Sequence, residues 1–236
     1  MHLIESNTHT GRRNPGFTLV EMLVVIAIMS VLVTAGAIGL GSIGGKGVSS
    51  GVASAESLFD EARAIAVGQR VKSRVLIAKS MTNNPADNLR KIVVVSEKLK
   101  ADGTVETPQS WVLSSRGVIL PDQTFFSQNL SKKDHDAGSG SIEEMPTLPG
   151  AKAAFAGSYF YYEFNSEGIC TTPGASFIIG NGSRNLNNAT ANPKVTAAGK
   201  RDFGGFVIWR NGRTSLFRSP DQMGAEIKNM APGKEF

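Results

Sequence analysis

From Met22 to Gly45 the chain runs 24 residues without a charge. As a helix this run spans about 36 Å at ~1.5 Å per residue, and a bilayer's hydrocarbon core is ~30 Å thick. A second pattern follows. Val52, Ala55, Leu58, Phe59, Ala62, Ile65 and Ala66 recur at helical spacing, with Glu56, Asp60, Glu61 and Arg63 mostly between them. This predicts an amphipathic helix ending near Gly68, with its apolar face laid on a sheet. Beyond it the pattern shortens to strand period. "VKSRVLIAK", "RKIVVVSEK", "SWVLSSRGVIL", "YFYYEFNSEG", "ASFIIGNGS" and "FGGFVIWRNGRTSLFR" read as strands. Asn211-Gly212 predicts a hairpin with a type I′ turn, and a turn at Glu167-Gly168 separates two of the strands. Strand alternation splits Tyr159, Phe160, Tyr161 and Tyr162 between core and surface. Trp111 and Trp209 are expected as core or edge anchors. Ser131 to Gly150 and Arg184 to Arg201, rich in Gly, Ser, Asn, Ala and Pro, are expected as loops.

Glycines crowd the end of the apolar run, at 36, 39, 41, 44, 45, 47 and 51. Each lowers helix stability by roughly 1 kcal/mol relative to Ala, so a bend or local melting is expected. "GLGSIG", Gly39 to Gly44, fits a dinucleotide-binding pattern, with Asp60 and Glu61 some twenty residues on. That motif needs a short strand before it, and this apolar run is far longer than one. "GVSSG", Gly47 to Gly51, fits a hydrolase elbow, but that too needs a preceding strand and a later His partner.

Composition narrows the chemistry. Net charge is +5, spread along the chain apart from Arg12 and Arg13. No basic block marks a nucleic-acid footprint. Cys170 is the single cysteine, so no intrachain disulfide forms. His2 and His9 precede the apolar run, leaving His135 in a polar stretch where a loop residue is expected. Zinc sites built on His and Cys need more ligands than this. No cofactor, metal or catalytic group is expected.

One acid breaks the pattern. Glu21 stands at the start of the apolar run, where a carboxylate at membrane depth costs about 2.5–3.5 kcal/mol on insertion scales. A cleaved secretory signal would have a shorter apolar region, and a plain signal anchor would leave Glu21 unexplained. With Arg12 and Arg13 before the run, the positive-inside rule places residues 1–16 in the cytoplasm and the bulk of the chain outside.

"GFTLVEMLVVIAI", Gly16 to Ile28, resembles the processing site of type IV pilins and type II secretion pseudopilins. The resemblance implies a cut between Gly16 and Phe17 by a prepilin peptidase/N-methyltransferase, N-methylation of Phe17, and retention of Glu21. Arg12 and Arg13 supply the leader charge. Cleavage would place a positive amine at Phe17, and in a fibre of side-by-side helices the Glu21 carboxylate of one subunit could meet the amine of a neighbour. Pairing relieves two charges that are unfavourable when buried alone. "SAESLFDEARAIAVGQRVKSRVLIA", "FNSEG" and "VIWRNGRTSLF" are similar to H-type minor pseudopilins and FimT-like minor pilins, and the chain also resembles Verru-Chthon cassette protein D. The missing C-terminal cysteine pair departs from major pilins.

The expected fold is α+β and pilin-like. It has a leader at 1–16, a transmembrane half-helix at 17–45, an amphipathic half at 46–70, and an antiparallel β-sheet domain at 71–236. The function implied is a minor pseudopilin or minor pilin-like structural subunit, not an enzyme. It would sit as a single-pass protein in the inner membrane with its β domain in the periplasm. Partners would be the processing peptidase, other pilins or pseudopilins, membrane lipid and secreted cargo. Two alternatives stand. A DNA-uptake pilin would use a basic patch from Lys194, Lys200, Arg201, Arg210 and Arg213, with steep salt dependence. A signal-anchored extracytoplasmic enzyme would show a cluster of strongly shifted carboxylates in a pocket.

Overall fold

The computed structural model describes residues 19–41, 43–149, 152–185, 188, 190–197 and 199–236. It divides into two compact units, residues 1–41 and 42–236. In the first, helix α1 spans Leu19–Gly41, with Glu21 in its first turn.

The second unit opens on helix α2, Ile43–Gln69. It is helical through Gly44, Gly45, Gly47 and Gly51, so the glycines do not melt the chain there. Gly51 shows why the helix tolerates them: a Cβ there would lie 2.9 Å from Ile179 Cδ1 and 3.3 Å from Leu120 Cδ2. The bare backbone lets α2 approach a sheet closely. "GVSSG" lies wholly within α2, and the described residues of "GLGSIG" are helical, so neither follows the strand its motif requires.

Among the described residues eleven strands follow: β1 Ser73–Met81, β2 Lys91–Glu97, β3 Trp111–Leu113, β4 Val118–Ile119, β5 Thr124–Phe126, β6 Glu144–Met145, β7 Gly157–Phe164, β8 Ala175–Ser183, β9 Lys194–Val195, β10 Phe203–Ile208 and β11 Thr214–Leu216. They form two antiparallel sheets rather than one. The first has the order β3-β2-β1-β7-β6 with β4 also on β2; the second has β11-β10-β8-β5 with β9 on β8. The turn at Glu167-Gly168 therefore carries the chain from one sheet to the other. Tyr162 ties them by donating a hydrogen bond to the Ser176 carbonyl at 2.7 Å.

Helix α2 packs against both sheets. Val52, Ala55, Leu58, Phe59, Ala62 and Ala66 are buried as their spacing predicts. Phe59 is the common contact. Its ring meets Tyr162 and Phe164 of the first sheet at 5.1 and 6.3 Å, and Phe177 and Phe206 of the second at 5.6 and 5.0 Å. Such edge-on pairs each add about 0.5–1.5 kcal/mol beyond area burial.

The far face of the first sheet is also covered. Leu76, Ala78, Val93, Val95, Trp111, Met145, Leu148 and Tyr159 form a second buried cluster there. The outward-facing tyrosines are therefore not surface residues: Tyr159 is fully buried, and Tyr161 is packed against this cluster. Covering both faces explains the unbroken apolar runs of β1 and β2. The two expected loops each contribute a short strand, β6 and β9. At the hairpin, Trp209 N–H donates to Arg213 O at 2.8 Å and Gly212 N–H to Trp209 O at 2.8 Å. Gly212 has φ of +72° and Asn211 does not share the positive φ of a type I′ turn. The connection is a type I turn closed by a left-handed glycine.

Candidate functional site

The N-terminal segment is where sequence reading placed function. Gly16, Phe17, Arg12 and Arg13 lie outside the described residues. Glu21 is described: it is exposed in the first turn of α1, where a carboxylate faces the positive end of the helix dipole. Around it Leu19, Val20, Leu23 and Ile26 are each more than 60% exposed, and Met22, Val24, Val25, Ile28 and Met29 are exposed as well. An apolar surface on every side of one helix is a surface built to be covered, by lipid or by other helices. Side chains of α1 are described from Leu19 to Ser30. Among the described residues, no helix is long and apolar enough to cross a membrane.

In the β unit, charge is used mainly to close the far face of the first sheet. Arg74 lies between the rings of Trp111 and Tyr161, its guanidinium carbon 4.1 Å from each centroid. Two of its nitrogens reach Glu163 Oε2 at 2.8 and 2.7 Å. Beside it, Glu143 accepts from Lys133 and from the Tyr161 hydroxyl. Those two bonds, the lysine's foremost, hold its carboxyl below the usual range. Burial pushes the Tyr159 phenol up to about 12; Tyr161 is also raised to about 12, by burial and then by its bond to Glu143.

The residues with catalytic chemistry are engaged elsewhere. Cys170 is buried, and burial raises its thiol pKa. His135 Nε2 donates to the Gln222 carbonyl at 2.9 Å, and its ring lies 4.7 Å from that of Phe217. It is a packed, half-buried residue rather than a solvated one. Among the described residues no group of three or more His, Cys, Asp or Glu could hold a metal.

The five cations considered for a DNA patch do not form one. Lys194 of β9 pairs with Ser183 of β8, and Lys200 and Arg201 precede Phe203, which pairs with Gly180. Arg210 and Arg213 lie beyond Ile208, which pairs with Ala175 at the other end of β8. Five residues of strand, about 17 Å at ~3.3 Å each, separate those two pairings.

A feature that sequence reading missed lies along β3 and β4. A cavity of about 730 Å³ is lined by Trp111, Leu113, Ile119, Leu148 and Phe155, with Lys91, Arg116 and Lys152 among its other walls. Three separate chain segments build it, so no local motif announces it. The one local sign is a tryptophan on a short strand.

The comparisons with known proteins bear on the N-terminal segment. Residues 11–37 match the family described as the prokaryotic N-terminal methylation motif. That segment is of the type IV pilin-like kind, and the match covers only a small part of the chain. Among curated proteins none matches. A crystal structure of the type IV minor pilin FimU from Pseudomonas aeruginosa aligns with 75% of this chain and 95% of its own, at 13% identity and a TM-score of 0.33.

Proposed function

We propose that the chain is a minor pseudopilin or minor pilin-like structural subunit of a type II secretion or type IV pilus-like envelope fibre. The observation that carries this reading is the methylation motif leading directly into a helix that is apolar on every side and bears one acid in its first turn. In this reading prepilin peptidase cuts between Gly16 and Phe17 and methylates the new amine. The uncharged run Met22–Gly45 anchors the subunit in the inner membrane and then packs beside the helices of neighbouring pilins. Glu21 pairs with a neighbour's Phe17 amine, so its unfavourable position in lipid drives assembly. The β unit stands outside the membrane and supplies contacts rather than catalysis.

The test is a Glu21→Ala variant expressed with a fibre system that accepts the wild-type chain. Glu21→Ala should be processed normally, yet fall at least tenfold in fibres sheared and quantified by immunoblot. Incorporation equal to wild type would end the pairing account.

A further inference from the structure

The free edge of the first sheet carries a groove with a definite chemical character. β3 is the terminal strand, and among the described residues nothing pairs with its outer side. Ser114 N–H donates to Val94 O at 2.9 Å and Lys98 N–H to Ser110 O at 2.9 Å. Val112 lies opposite Ser96, midway between those two bonds. Antiparallel alternation therefore turns the backbone groups of Val112 inward, and those of Trp111 and Leu113 outward. Those outward groups form a template for one more strand.

Side chains beside this edge select what could occupy it. Leu113 is 39% exposed and Ile119 51%, on the same face as buried Trp111. Lys91 is already engaged: its ammonium lies 3.4 Å from Asp87 Oδ2, 3.1 Å from Ala154 O and 4.4 Å from the centre of the Phe155 ring. Arg116 and Lys152 are exposed, and neither joins an ion pair among the described residues. Among the described residues, no Asp or Glu lines the cavity. An apolar surface with two uncompensated cations and a strand template fits an extended segment carrying apolar and acidic residues on one face.

We propose that this groove docks an extended, acidic and apolar segment of a partner protein, which adds as a strand to β3. Its backbone bonds the outward groups of Trp111 and Leu113. Its alternate side chains lie over Leu113, Ile119 and Phe155, and a carboxylate reaches Arg116 or Lys152. The proposal is independent of whether the chain enters a fibre.

Trp111 is one of two tryptophans in the chain, so in a Trp209→Phe background it reports alone. The full chain in detergent micelles is titrated with a blocked seven-residue glutamate peptide, Val-Thr-Glu-Thr-Val-Thr-Glu, whose valines and glutamates share one face of a strand. Controls are the lysine counterpart and a ten-base oligothymidylate. The glutamate peptide should shift Trp111 emission saturably. Binding should weaken at least tenfold in Arg116→Glu/Lys152→Glu, and equally in Leu113→Pro, which removes an outward N–H while sparing the ladder. The lysine peptide and the oligonucleotide should leave the emission unchanged. No saturable shift with the glutamate peptide overturns the proposal. So does undiminished binding by the charge-reversed pair with its circular dichroism unchanged. A saturable response to the oligonucleotide instead would replace the partner class with nucleic acid. Should Leu113→Pro fail to fold, the exposed charge-reversed pair decides.

Discussion

Each of the chain's three tyrosines hides its phenol in a different way. Tyr159 OH donates to the Phe155 carbonyl at 2.5 Å, Tyr161 OH to Glu143, and Tyr162 OH to the Ser176 carbonyl at 2.7 Å. Burial lifts all three: the first two to about 12 and Tyr162 well above its ordinary value. A phenol whose folded pKa is raised stabilises the fold fully below the unfolded value, near 10, and that contribution is lost as pH rises toward the folded value. A spectrophotometric titration at 295 nm should therefore show almost no phenolate between pH 9 and 11 while near-UV dichroism is native. Stability should fall above pH 10, and the phenolate signal should appear together with unfolding. A reversible titration near pH 10 in the native protein would mean that at least one ring is open to water. None of this was visible at the residue level in the sequence, where alternation put half of the aromatic run on the surface.

Helix α2 sets the requirement at the scale of elements. It must lie close to two sheets at once, and Gly51 provides the close approach. Gly51→Val should lower stability by about 1–3 kcal/mol through overpacking, although valine is the better helix former. Gly68, with no atom within 4 Å of a Cβ placed there, makes the contrast. Gly68→Ala should be neutral or stabilising by up to about 1 kcal/mol. Thermal unfolding of the full chain in detergent checks both, and a destabilised Gly68→Ala with an unaffected Gly51→Val would reverse the packing argument. The apolar face of this helix was legible because each buried position repeats at helical spacing. The strand cores were legible too, and β8 has the bounds of the segment "ASFIIGNGS" expected as a strand. Short strands were not. β6 and β9 hold two residues each, and their pairing comes from tertiary contact rather than from pattern. The hairpin at Asn211-Gly212 was found by its residues, but its turn type was not. One left-handed glycine closes a type I turn there, and Asn211 Oδ1 accepts from Arg213 N–H at 3.0 Å.

For the whole molecule, sequence division into a leader, an apolar helix and a β-rich body rests on composition that changes sharply near Lys46. The structure separates two compact units, residues 1–41 and 42–236. The doubling of the sheet was hidden in the sequence, because nothing local distinguishes a strand that continues a sheet from one that starts another. The groove at β3 was hidden for the same reason. The N-terminal motif was legible in the sequence, since a short linear motif needs no fold to be read, and residues 11–37 match the methylation-motif family; the role proposed for it is what remains to be measured. The most direct measurement of that claim is mass spectrometry of the mature N-terminus after co-expression with a prepilin peptidase. The account predicts a chain beginning at N-methyl-phenylalanine, position 17. An intact Met1, or a cut near Ala35–Gly39, would contradict it and leave a signal-anchored or secreted protein whose role must be sought in the β unit alone.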